Sequence, residues 1–300
     1  MMASVDSGLM VLATAVLAEQ NLQKLKFTAE TQGTQRKIWT LRVINDRFLA
    51  KRNTIFCALW AFAVQKAVQK MTLYEKQRAA YAHIREVYDR YARTLDLACK
   101  KGCAACCTIN VTLTSLEACA IADRLDALPR GDRLWDRVVA ASESRRFSPQ
   151  STFNRIARYY ADGVEPPAEE TPDPAWGPCP LLMADGSCPV YEVRPFACRC
   201  MVSQTACDAA GSAAVSSFTV TVGTVMHQYI EHIDRAGVSG NLTDLLLCLR
   251  PRHARDACKA LVPKDLRENF PANTLTVALL AGPEDKERLA PILDDLNRFR

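Results

Sequence analysis

The chain has 300 residues, 49% of them hydrophobic and 24% charged, with 12 Gly, 15 Pro and 13 Cys. That length and apolar content bury a real core in one large domain or two, and they exclude disordered, collagen-like and low-complexity chains. The net charge of +5 is uneven: residues 1–70 carry 10 Lys and Arg against 4 Asp and Glu, and the rest carry 28 against 29.

Basic residues scattered at that density, without interleaved aromatics, helix-turn-helix pattern or zinc-finger spacing, describe a solvated face, so no nucleic acid is expected as a partner. Residues 8–18 are apolar, but Asp6 stands where a secretion signal carries basic residues, and no signal is expected. Residues 54–64 follow Lys51-Arg52. At about 11 residues this run is short of the roughly 20 that span a membrane, so it reads as a buried helix and no membrane is expected. The whole segment 1–70 reads as an N-terminal helical extension. Met71 opens a better patterned segment and offers an alternative start, which makes the extension a candidate gene-model artefact.

Over residues 72–98, Tyr74, Tyr81, Ile84, Tyr88, Tyr91 and Leu95 fall on one helical stripe with charges elsewhere. Thr114-Ser115-Leu116-Glu117 is a capping box opening a helix whose stripe, Ala118, Ile121, Leu125 and Leu128, stops at Pro129. Helical patterns follow at 132–143 and 150–161. Residues 163–178 hold five prolines and four carboxylates and predict an extended surface loop. A strand or helix start is expected at 218–225, then helices at 226–233, from Asn241, and at 285–299.

Thirteen cysteines in a chain of this size, odd in number, do not describe a secreted disulfide framework, which belongs to short chains that lack a core. They place the chain in the cytoplasm, where clustered thiols mean metal or redox chemistry. One group is Cys99, Cys103, Cys106 and Cys107, with Gly102 free to turn tightly. The other is Cys179, Cys188 and Cys198, followed by Cys200 and Cys207, with Asp185-Gly186 as a hairpin signal that returns Cys188 toward Cys179. Each group is half a site, and together they offer seven to nine soft donors. Neighbouring side chains such as Cys106 and Cys107 are expected to diverge, which favours a polynuclear centre or two close sites over one tetrahedral ion. Zinc and iron–sulfur clusters both take such thiolates. Arg194 and Arg199 flank the second group, where a guanidinium offsets thiolate charge. Cys57, Cys119, Cys248 and Cys258 read as core residues. His227 and His232 lie about 140° apart on a helix and cannot share an ion; they read as surface or core-edge residues.

The run Gly102-Cys103-Ala104-Ala105-Cys106-Cys107, then Cys179-Pro180-Leu181-Leu182, then Gly186-Ser187-Cys188 and Tyr191 through Arg194, Pro195, Cys198 and Arg199, resembles the YkgJ-like cysteine-cluster proteins with their CxxCxxCC zinc- or iron-chelating domain. It covers about 100 residues; Cys99 departs from the pattern, one residue too far from Cys103. The resemblance implies metal chelation. A more distant similarity to flagellin lysine methylases implies an iron–sulfur-dependent protein-modifying enzyme, although no methyl-donor motif is found. The expected fold is mainly α, with helices around an irregular cysteine-rich metal centre and a small β-hairpin. Residues 71–260 form its metal-binding domain and 261–300 a C-terminal helical segment. The expected function is chelation of iron, as an iron–sulfur cluster, or of zinc. The alternatives are the modifying enzyme and a thiol-redox sensor at Cys106-Cys107. A protein partner stays open.

Overall fold

A computed structural model describes residues 71–100, 102–207, 213–261 and 264–298, all within a unit spanning Lys70–Arg300. The N-terminal extension 1–70, with Cys57, lies outside the described residues. Among the described residues the architecture is mainly helical with one two-stranded antiparallel pair, as expected.

Thr72 caps helix α1 (Leu73–Ala92) in a reciprocal box with Glu75, satisfying donors that a helix start leaves free. Strand β1 (Thr112–Thr114) runs into α2 (Ser115–Ala127), where Thr114 and Glu117 form the predicted second box. Leu128 turns extended ahead of Pro129 and ends α2. Then follow α3 (Gly131–Ala140), α4 (Phe153–Ala161, capped by Thr152), α5 (Phe196–Cys200) and α6 (Ser217–Ile233, capped by Ser216). The segments 218–225 and 226–233 form one continuous helix, which Ser216 caps. Strand β2 (Ser239–Asn241) leads into α7 (Leu242–Leu249), α8 (Arg252–Lys259), α9 (Lys264–Asn269) and α10 (Lys286–Asn297).

The strand pair joins distant segments: Thr112 opposes Asn241 and Thr114 opposes Ser239. The Asp185-Gly186 signal produces a tight reversal, with Gly186 N–H on the Met183 carbonyl and Met183 N–H on that of Ser187, both 2.9 Å, rather than paired strands.

Two cores share α2. One gathers Ile121, Leu125, Trp135, Val138, Leu245 and Leu249 from α2, α3 and α7. The other gathers Tyr81, Tyr88, Val222, Met226 and Ile230 from α1 and α6, with Leu289 and Leu296 of α10 packed on it. Fully buried side chains of this size each contribute about 1.5–3 kcal/mol over exposure. Of the cysteines expected in the core, Cys119 and Cys258 are buried there, whereas Cys248 is exposed because it sits on the outer face of α7.

The Pro-rich loop is extended, as its composition dictates, yet it is tied down. Glu169 accepts the Gln150 and Ser151 N–H groups at 3.1 and 2.8 Å, Glu170 pairs with Arg145, and Asp173 caps a short turn.

Two buried carboxylates stitch α6 to its neighbours. Asp234 accepts from Ser115 Oγ, Leu116 N–H and Asn273 Nδ2 at 2.8, 3.1 and 3.1 Å, and Glu231 accepts from the first N–H groups of α4, on Phe153 and Asn154, both at 2.8 Å. Burial outweighs these donors and pushes each carboxyl up to about 7. A group whose folded pKa lies above its unfolded one holds its proton longer in the fold. Its contribution is therefore complete at low pH and is lost as pH rises from about 4 to 7. Unfolding free energies of the wild type minus those of Asp234→Asn are expected to fall by up to about 1.4 kcal/mol per pH unit across that window. A difference that rises with pH, measured by denaturant titration, counts against this.

Candidate metal centre

The two cysteine groups meet because their backbones do. Cys179 N–H donates to the Cys107 carbonyl at 2.9 Å, Ile109 N–H to that of Gly177 at 2.9 Å, and Thr108 faces Pro178 in an isolated antiparallel bridge. Gly102 and Gly186 both adopt the left-handed region, at φ +88° and +77°. A Cβ on Gly186 would stand 3.2 Å from the Gly102 carbonyl, so the two turns nearly touch.

Each group is anchored differently. The first is built on tight turns, Cys103 N–H to Lys100 and Cys107 N–H to Ala104, both 3.0 Å, with Cys99 Sγ accepting the Ser203 N–H at 3.2 Å. The second is rooted in both cores: Leu181 and Val190 belong to one, Phe196 to the other. Phe196 stands edge-on to Tyr88 and to His227, each at 5.0 Å. Its N–H donates at 2.7 Å to Glu117, which also accepts the Tyr81 hydroxyl at 2.9 Å and the Thr114 N–H at 2.8 Å. One buried carboxylate therefore ties α1, β1, α2 and α5 together. No sequence motif announced that role beyond the capping box itself.

Between the groups lies a cavity of about 410 Å³, and Cys99, Cys103, Cys106, Cys107, Cys179, Cys188 and Cys198 all line it, as do Arg194 and Arg199. All nine candidate residues thus face one space. The remaining wall is largely apolar, including Leu97, Val111, Leu181 and Val202. Among the described residues no three His, Cys, Asp or Glu side chains form a group able to hold an ion as they stand. The thiols share a wall, and metal coordination would require the turn-built first group to draw in against the anchored second one. The soft donor set fits zinc or an iron–sulfur cluster.

Cys106 and Cys107 do not diverge as expected. The Cys106 thiol donates to the Cys107 sulfur, which pulls the Cys107 thiol below its ordinary value and pushes that of Cys106 up. The tight turn that puts Cys107 N–H on Ala104 folds the pair together. Burial holds Cys179 at about 11 and raises Cys99, Cys188 and Cys198.

Cys200 and Cys207, undecided from sequence, are off this wall. Cys200 Sγ lies 3.6 Å from His227 Nε2. His227 stacks on Phe153 at 5.0 Å, and burial lowers it to about 4. His232 is elsewhere, accepting or sharing the Thr276 N–H at 3.2 Å.

Compared with known protein families, with curated proteins and with solved structures, the chain matches none. No helix among the described residues is long and apolar enough to cross a membrane.

Proposed function

We propose that the chain is a metal-binding protein that chelates iron, as an iron–sulfur cluster, or zinc through clustered cysteine thiolates. One observation carries this reading: seven thiols from two separate segments line a single cavity. Packing alone does not account for them, since packed cysteines such as Cys119 sit at full burial inside a helix interface, whereas these line open space. The order of CC, CPLL and GxCxxYxxRPxxCR, which resembles the YkgJ-like proteins, supports the same chemistry. Seven thiols on one wall, more than the four donors that a tetrahedral zinc ion takes, favour a polynuclear iron centre over one zinc ion.

Burial keeps most of these thiols protonated, so cation uptake releases protons. A cluster supplies electron transfer, and zinc supplies a closed structural site. The test is metal and acid-labile sulfide analysis, with a visible spectrum, on anaerobically purified full chain. Iron with sulfide and a band near roughly 400 nm supports the cluster. Zinc in a colourless solution supports the second form. Neither metal overturns the proposal and leaves reversible thiol oxidation at Cys106-Cys107 as the chemistry to pursue.

A further inference from the structure

The cysteine cavity carries more positive charge on one side than its ion pairs balance. Arg199 donates through Nη1 to both oxygens of Asp89, at 2.8 and 3.0 Å. Arg85, one turn before Asp89 on α1, donates through Nη2 to the Glu192 carbonyl at 2.9 Å. Arg194 donates through Nη1 to the Tyr191 carbonyl at 2.9 Å and lies 3.8 Å over the Tyr191 ring. Consecutive carbonyls, 191 and 192, thus hold two guanidiniums beside each other, and Asp89 brings the third. Only Asp89 pairs with this trio; Arg85 and Arg194 have no ion-pair partner among the described residues. The Nε atoms of Arg85 and Arg199 are also buried without a hydrogen-bond partner.

Arg194, Arg199 and Lys100 on the wall, with Arg85 beside them just off it, stand against Asp89 and Asp185 and leave an excess of about two positive charges. An arginine cannot shed its proton to relieve that repulsion, so a nearby anion would stabilise the arrangement. The guanidinium fork matches tetrahedral and planar oxyanions, and arginine clusters recognise them. We infer that Arg194 and Arg199, with Arg85 adding charge from beside the wall, form an oxyanion site that receives the phosphate group of a small ligand entering the cysteine cavity. A phosphate dianion matches the excess charge better than a carboxylate. Lys100, also on the wall, adds to the attraction. The volume of about 410 Å³ and the mostly apolar lining suit an organic body attached to that phosphate. This inference stands on the arginines and is independent of the metal.

The experiment is isothermal titration of inorganic phosphate, and separately of acetate, into the full chain as purified, with metal content measured on the same samples. Phosphate is expected to bind at least tenfold more tightly than acetate. Arg194→Gln is expected to weaken it about tenfold or more, Arg194→Lys and Arg85→Gln to weaken it less, and Arg124→Gln, which removes an exposed charge on α2, to leave it unchanged. Circular dichroism establishes that each variant is folded; if Arg85→Gln is not, the two Arg194 variants decide. No phosphate binding, equal binding of acetate, or undiminished binding by the Arg194→Gln variant overturns the site. A chain that holds metal but binds no phosphate overturns this inference alone. One that binds phosphate but holds no metal overturns the metal reading alone.

Discussion

Replacing Glu117 with Ala is expected to cost about 4 kcal/mol of unfolding free energy, one of the larger single-residue effects in this fold. The residue is 2% exposed, and its two oxygens serve four donors on three elements. Oε2 takes the Thr114 N–H at 2.8 Å and hydroxyl at 2.9 Å; Oε1 takes the Tyr81 hydroxyl at 2.9 Å and the Phe196 N–H at 2.7 Å. Truncation strands three of these donors in a dry interior at about 1–3 kcal/mol each, with partial relief where water follows, and removes half of a capping box worth about 1 kcal/mol. Glu117→Gln should cost less, because Oε1 survives while the new amide meets the Thr114 donors head-on. Because Phe196 holds α5 and hence Cys198, the Ala variant should also loosen the cysteine cavity, read as lower metal retention. Denaturant unfolding decides: a loss below about 1 kcal/mol would show that the four bonds are dispensable.

That hub illustrates how unevenly the fold was written in the sequence. The capping box at Thr114, the stop at Pro129 and the stripes of α1 and α2 are local, spanning a few residues, and each was legible; the box at Thr72 is equally local but was not read. The two cysteine groups were equally plain, since four thiols in nine residues serve no ordinary packing purpose. Contacts that depend on the meeting of distant segments were not legible. Thr112–Thr114 and Ser239–Asn241 pair over three residues each, too short to leave a period-two pattern, and Ser-Gly-Asn has no strand propensity. Asp234 and Glu231 carry no local signal of burial; only tertiary packing makes them interior groups. The same holds for Arg85, which looked like a solvated charge on α1 until the 191–194 turn closed over it, and for Cys248, whose apolar neighbours in α7 face inward while it faces out.

Removing the metal from the chain as purified is expected to lower Tm by about 8–16 °C, and Cys106→Ala to do the same. Free metal at about a thousandfold over its Kd stabilises by about 4 kcal/mol, and a domain of this size loses about 2–4 °C per kcal/mol. Complete unfolding is not expected, because the buried members of the two helical cores include none of the cysteines that line the cavity, although Cys179 and Cys188 pack against one of them. The first cysteine loop, by contrast, rests on turn hydrogen bonds at Lys100 and Ala104 and a few backbone ties to its neighbours, and a metal would add direct links from its thiols to the second group. The second segment is held by Leu181, Val190 and Phe196 in either case. Loss should therefore be local, seen in hydrogen exchange as deprotection of residues 99–108 with little change in α2 or α7. Cys248→Ala, exposed and away from the cavity, should leave Tm unchanged. The decisive feature is non-additivity: once the metal is gone, Cys106→Ala should cost almost nothing more, since both perturbations remove the same interaction. Two effects that simply add would mean that Cys106 matters for packing and not for the metal, and unchanged melting after both treatments would mean that no stabilising metal is held there.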